Sequence, residues 1–345
     1  MSVLATKPTA LTRERRRARL VAALCLAALA GFSVIALTTG EVSMSAGTAL
    51  RAALGFGDPG EVYIVQEFRA PRLAAALVAG AGLATAGAVL QRLFRNPLAS
   101  PDVMGITGGA SLGAVLILAA GAGQRLLPLG ALGGGLFAAA ALALLGRWSG
   151  MVVTRLVLVG IAVQAGLAAA VNLIVVRFPQ ELAGSAMQWT AGSLYGRTWP
   201  EVTGAALAGL AVLVALFVQY RKLAVLDLGD ESAGALGISV TTARLRLLVT
   251  AAALAALAAA IAGPIAFVAL AVPHLIRMLA GRPTGTTLVA TALAGATLLL
   301  GADLTAQHLL PVHGLAVGVV TATIGAPWLL ILLLRDGGPA SRRTV

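Results

Sequence analysis

The chain has 345 residues, 59% of them hydrophobic and 11% charged, with a mean hydropathy of +0.94. Soluble domains carry about 25% charged residues, so composition excludes a soluble globular class. The net charge of +12 is no nucleic-acid footprint, because the arginines sit in short connections between oily segments; a single cysteine, Cys25, excludes an internal disulfide and a cysteine-ligated cluster.

Residues 1–17 form a basic tail ahead of an apolar run from Ala18 to Thr39. That run is long for the core of a secretory signal and has no clear cleavage site, which favours a retained first span over a cleaved leader. Further apolar runs near the ~20 residues that cross a bilayer occupy 72–92, 103–121, 126–146, 155–177, 200–220, 244–263, 264–280, 285–306 and 314–335. The predicted fold class is all-α: a polytopic membrane protein of ten transmembrane helices, one domain over 18–335, with a 336–345 tail. Only Gly263-Pro264 separates the seventh and eighth runs, and one kinked helix there would leave nine spans. Ten spans with the N-terminus inside put only Arg51, Arg69, Arg72, Arg125, Arg177 and Arg197 outside; nine would export Arg282, Arg335, Arg342 and Arg343 as well. The positive-inside rule therefore favours ten, with both termini cytoplasmic.

Between the first two spans, Glu41 to Arg69 has room for a short surface helix. Arg69 and Arg72 flank Pro71 at the outer entrance of the second span, where fixed charges would receive the carboxylates of an external partner or snorkel to the interface. At its inner end Asn96-Pro97 and Pro101-Asp102 make a tight turn, since proline disfavours helix before it. Gly105, Gly109 and Gly113 then recur every four residues, the spacing of a close helix contact. Gln164 and Asn172 on the fifth span, with Thr321 and Thr323 on the tenth, suit either a lined path or hydrogen bonds between helices.

The cytoplasmic loop 225–243 lies within VLDLGDESAGALGISVTTARLR. Asp230 and Glu231 stand where a short helix begins, complementing its positive end, and Gly237 stands where it stops. Ala233, Ala235 and Leu236 give it a small apolar face, the size of a plug for a partner's groove or simply a polar connector's. Pro264 and Pro273 interrupt the Gly263–Arg277 segment, which is tolerated in a membrane only where protein or a cavity surrounds the break. His274 and Arg277, one turn apart, read as a structural pair ahead of a proton relay. Asp303 is the one carboxylate well inside an oily run, a functional candidate that would equally cap a helix or pair with a neighbour. His308 and His313 lack a third ligand, so they are weak evidence for a metal. No G-x-x-x-x-G-K-[ST] occurs, and the only lysines are Lys7 and Lys222, so the chain has no P-loop for ATP. Nothing resembles a nucleophile–base constellation. No catalytic residue, bound cofactor or metal is expected.

Six motifs run in order along nearly the whole chain: RAPR (69–72), QRLFRNPLASPDVMG (91–105), MQWTAGSL (187–194), LGDESAGALGISV (228–240), GPIAFVALAVPHLIR (263–277) and GVVTATIGAP (318–327). Together they resemble the FecCD-type permease family of ABC importers for ferric siderophores, haem or cobalamin, with NPLASPDVMG and DLTAQHLLP (303–311) nearest its ferric-enterobactin branch. The resemblance implies a bacterial cytoplasmic-membrane permease of ten helices, paired with a second permease subunit, more readily a different one than a copy. It implies an ATPase dimer, which uses the ATP and magnesium, docking on Leu228, Gly229, Asp230, Glu231, Ala235, Leu236 and Gly237. Outside, a substrate-binding lipoprotein or periplasmic protein would meet Arg69 and Arg72. Asn96, Pro97, Pro273, His274, Arg277 and Asp303 would serve the structure or the gate. The chain departs from the family pattern at Gln307, where many relatives carry arginine, and at Gly314–Gly318, where the pattern reads E-L-P-V-G. A rival from another class is a proton-coupled secondary transporter built on Asp303. An intramembrane enzyme or scaffold ranks last, for want of a catalytic cluster.

Overall fold

A computed structural model describes residues 10–148, 153–309 and 314–336; His313 and the far ends of both tails lie outside them. Among the described residues every regular element is helical. In chain order these are α1 (Ala10–Thr38), α2 (Ala46–Ala53), α3 (Pro59–Tyr63), a π-helical turn (Ile64–Arg69), α4 (Ala70–Leu93), α5 (Ile106–Ala119) and α6 (Leu127–Trp148). Then come α7 (Val153–Val176), α8 (Gln180–Thr190), α9 (Trp199–Leu226), α10 (Asp230–Ala235), α11 (Val240–Ala262), α12 (Val268–Ala280), α13 (Gly285–His308) and α14 (Val317–Asp336).

Seven helical segments among the described residues are long and apolar enough to cross a membrane: α1, α3 running through into α4, α6, α7, α9, α11 and α13. Three of the expected spans are shorter apolar helices: α5, α12 and the Val317–Ile331 part of α14. At 1.5 Å per residue α5 and α12 reach only about 20 Å, against about 30 Å of hydrocarbon. Length therefore supports seven spans, and ten only with these three counted.

α4 and α11 are the buried centre, apolar on all sides, while α1 and α7 keep most of their surface outward. α13 packs between α1 and α4, α12 lies on α4, and the α5–α6 pair sits on α11. Small residues set these spacings. A Cβ on Gly113 of α5 would stand 2.0 Å from the Gly130 carbonyl oxygen of α6, and one on Gly134 would stand 2.1 Å from that of Gly109. The four-residue glycine spacing is thus a packing face at Gly109 and Gly113. Gly105 differs: at φ +81° it starts α5, against Val163 and Gln164. Gly113→Leu should cost about 3 kcal/mol through overpacking. Gly133→Ala, on the open side of α6, should be neutral or stabilising by up to about 1 kcal/mol. Unfolding in detergent separates the two signs.

The break between α11 and α12 is complete. Gly263 leaves α11 at φ +71°, and Phe267 enters α12 at φ +68°, a left-handed position that side chains rarely accept. α11 starts beside α10, and α12 ends with Arg277 bonded to Gln91 near the C-terminus of α4, which is tied to the α9–α10 turn. The chain therefore returns to the face it left. This overturns the single kinked helix, because Pro264 and the two left-handed residues reverse the chain instead of bending it.

Candidate functional site

The face carrying α10 is built from residues that anchor and residues that protrude. α9 ends at Leu226, and Gly229, at φ +108°, turns the chain into α10. The helix runs Asp230–Ala235, and Gly237 follows at φ +78°. Ala233 is fully buried, and Arg244 Nη2 donates to Asp230 Oδ1 at 2.7 Å, which pins α10 to α11. Leu228 and Leu236 are 65% and 62% exposed. The single apolar face expected of Ala233, Ala235 and Leu236 is therefore split: Ala233 faces in, while Ala235 and Leu236 face out. Two exposed leucines flanking a short, anchored helix suit contact with another protein.

Beside α10, Arg92 at the end of α4 pairs with Asp227, and Arg95 Nη2 donates to the Leu226 carbonyl at 2.7 Å. Asn96 Oδ1 accepts from the Leu98 N–H at 2.9 Å, fixing the turn around the exposed Pro97. Asp102 lies in the same loop, close to Thr107 and to the Phe267 backbone, which sets this loop against the α11–α12 break.

Pro273 sits buried inside α12 and has no N–H for the carbonyl of Ala269. That carbonyl turns towards α4, where Gly87 leaves room: a Cβ there would lie 1.8 Å from it. One turn on, Gln91 Nε2 donates to the Leu270 carbonyl at 3.0 Å, and Gln91 Oε1 accepts from Arg277 Nη2 at 3.1 Å. Arg277 Nη2 also stands 3.4 Å from His274 Nδ1. Pro273, His274 and Arg277 thus belong to one seam between α12 and α4.

At the opposite face, Arg72 grips Asp303 with both arms, Nε to Oδ2 at 2.9 Å and Nη2 to Oδ1 at 2.8 Å. Gln307 Nε2 adds a third donor to Oδ2 at 2.7 Å. Such a bidentate, charge-assisted pair is among the stronger polar contacts, and the Asp303 side chain is only 3% exposed. Of the roles open to Asp303, pairing with a neighbour is the one this geometry has. Arg69 instead donates to the carbonyls of Leu37, at 2.6 Å, and Val42. Its partners are dipoles, so its positive charge stays uncompensated by them.

Three segments far apart in sequence meet at one backbone junction. A Cβ on Gly263 would lie 2.6 Å from the Trp189 carbonyl oxygen, and one on Gly192 would lie 2.5 Å from that of Pro264. One on Gly318 would lie 2.0 Å from the Ala191 carbonyl oxygen, and the Gly318 N–H donates to Gly192 at 3.2 Å. The end of α8, the α11–α12 break and the start of α14 are therefore locked together. The candidate path residues do not converge within the chain: α7, with Gln164 and the exposed Asn172, packs on α5, α6 and α8, whereas α14 packs on α12 and α13. Thr321 is buried and Thr323 exposed, and each hydroxyl bonds back to its own helix. Sequence reading missed Gln91, Arg92, Asp227 and Arg244. The only local signal was polar residues just inside helix ends, which interface anchors also produce.

The bundle is all-helical among the described residues, with seven segments long and apolar enough to cross a membrane. The FecCD transport family model matches residues 26–335, and the chain belongs to that family, as a transport permease and not an enzyme. It is 38% identical over 323 residues to the ferric enterobactin transport system permease protein FepG of Escherichia coli (strain K12), covering 93% of this chain and 97% of that one. It is 37% identical over 324 residues to the Fe(3+)-citrate import system permease protein YfmE of Bacillus subtilis (strain 168), again covering 93% and 97%. A solved metal-chelate type ABC transporter in an inward-facing conformation superposes with a TM-score of 0.82 at 30% identity, over 92% of this chain and 99% of that one.

Proposed function

We propose that the chain is the transmembrane permease subunit of an ATP-driven ABC importer that brings a ferric siderophore across the cytoplasmic membrane of a bacterium. The observation that carries this reading is the likeness, over 93% of the chain, to permeases for ferric enterobactin and ferric citrate. Haem is the second substrate class, favoured by 37% identity to the hemin transport system permease protein HmuU of Yersinia pestis over a smaller share, 79% of the chain. In this reading all ten helices traverse the bilayer, the three short ones completed by backbone packed inside protein. Both termini and α10 face the cytoplasm, as the arginine distribution supports.

A separate ATPase dimer docks on α10 through Leu228, Glu231, Ala235 and Leu236, with Gly229, Asp230 and Gly237 setting the helix's position. Nucleotide binding moves this knob, and the helices rock between outward- and inward-facing states. A second permease subunit, preferentially a different chain, completes the pathway, so that Gln164, Asn172, Thr321 and Thr323 come together across two subunits. Asn96, Pro97, Pro273, His274 and Arg277 hold the inner side of the moving parts. The chain itself binds no cofactor. The test is reconstitution: with its ATPase, second permease and binding protein in liposomes, ATP should drive ferric-siderophore uptake. Uptake that survives removal of the ATPase would refute the reading in favour of the secondary transporter.

Outside, Arg69 and Arg72 meet acidic residues of the binding protein. Arg69 is the stronger of the two, because Asp303 already neutralises Arg72. Arg69→Gln should weaken binding of that protein about tenfold in a surface-binding measurement and make the remainder less salt-sensitive. Unchanged docking would remove Arg69 from the interface.

A further inference from the structure

On the face that carries α10, a cleft of about 410 Å³ is lined by Arg92, Arg95 and Arg277, with Asn96, His274 and one carboxylate, Asp227. Arg92 and Arg95 against the one carboxylate of the lining, Asp227, leave an excess of positive charge at its mouth. Arg92 is the fixed element. Its Nη2 is bound to Asp227, its guanidinium carbon stands 5.3 Å from the centre of the Tyr220 ring, and its Nε and Nη1 are buried without an acceptor. The cleft continues inward, sharing Gln91, Arg92, Arg277 and Pro283, into a second hollow of about 60 Å³. The walls there turn apolar: Val89, Leu223, Ile276 and Leu288. The hollow lies where α4, α9, α12 and α13 meet, with Tyr220 and Leu223 on its α9 side and Thr287, Leu288 and Thr291 on its α13 side. On α9 the exposed Phe217 stacks on Tyr220 at 6.5 Å between ring centres.

We propose that this cleft binds an anionic phospholipid of the inner leaflet, its phosphate diester at the mouth between Arg92, Arg95 and Arg277 and its first acyl carbons in the apolar hollow between α9 and α13. A cationic mouth that opens into an apolar slot between helices matches the two halves of that molecule, as basic pockets at the cytoplasmic side of membrane proteins do. A free anion needs only the mouth, and the carboxylates of a protein partner would leave the slot unused. Arg95 is exposed and bonded to a carbonyl, so its charge remains available to a phosphate. The lipid would wedge α9 against α4 beside α10 and so hold the knob's base in register. The placement rests on the orientation proposed above. Lipid binding in detergent does not depend on transport, so failure here is distinguishable from failure of the permease reading.

The assembled transporter, delipidated in detergent, is titrated with dioleoylphosphatidylglycerol or dioleoylphosphatidylcholine, and bound lipid is counted by native mass spectrometry. Phosphatidylglycerol should half-saturate at a concentration about tenfold lower than phosphatidylcholine. The double variant Arg92→Gln/Arg95→Gln should raise that concentration about tenfold, whereas Arg246→Gln, on an exposed arginine away from the cleft, should leave it unchanged. If the double variant does not assemble, Leu288→Trp keeps every charge, fills the slot and should produce the same loss. Equal retention of the two lipids, an equal effect of Arg246→Gln, or wild-type binding by Leu288→Trp overturns the proposal. So does displacement of phosphatidylglycerol by inorganic phosphate at comparable concentration, which would assign a small-anion site.

Discussion

Asp303→Ala should destabilise the chain by about 3 kcal/mol, read as a lowered unfolding temperature in detergent. The Arg72 side chain is 22% exposed and has no other carboxylate within ion-pair distance among the described residues, so its charge would be left largely buried. Removing one member of a buried ion pair costs about 3–5 kcal/mol, and the partial exposure of Arg72 places this case at the low end. Arg72→Met combined with Asp303→Leu should recover most of the loss, because the penalty belongs to the orphaned charge and not to the missing attraction. Asp303→Asn separates mechanism from stability. Gln307 and Arg72 can still bond an amide oxygen, so ATP-driven uptake should persist if the pair is structural. A proton-coupled carrier using Asp303 would lose transport.

Leu228→Asp combined with Leu236→Asp should abolish co-purification of the ATPase and lower uptake at least a hundredfold, with no change in unfolding temperature. Both side chains are more than half exposed, so the fold does not depend on them. At a desolvated interface a hot-spot residue is worth about 2 kcal/mol or more, roughly thirtyfold each. Ala233→Asp should behave oppositely and unfold the base of the knob, because Ala233 is fully enclosed. Uptake that still responds to ATP after the double leucine change would remove α10 from the coupling path.

Seven of the predicted spans were legible as long apolar helices because hydropathy over about 20 residues tracks the length that crosses a bilayer, whereas three others are shorter helices. α4, α9 and α13 fall within a few residues of their predicted ends, except that α9 continues past 220 to Leu226, through Arg221 and Lys222 and the buried Leu223 and Leu226. The break at 263–267 was also legible, since Gly263-Pro264 leaves few alternatives, although hydropathy could not decide between a bend and a reversal. The packing glycines Gly109 and Gly113 announced themselves by spacing. What stayed hidden were pairings at long range. Arg72 and Asp303 are 231 residues apart, and neither neighbourhood names the other. The junction of Gly192, Pro264 and Gly318 lies in three stretches that sequence could quote separately but not bring together. α8 escaped notice because a short surface helix leaves no long apolar run. The inward turn of Ala233 depends on how α10 is pinned by Arg244, a contact across a loop that periodicity does not encode.

The Arg72–Asp303 pair also imposes an order on biogenesis. The ribosome delivers the arginine long before the aspartate, so the newly inserted second span waits in the bilayer with an unmatched charge. A charged side chain at mid-membrane costs roughly 2.5–3.5 kcal/mol, less near the interface. That residual cost disfavours a settled early bundle and is relieved only once α13 supplies Asp303. The second half of the polypeptide, and not insertion of its first half, then supplies the partner that neutralises Arg72.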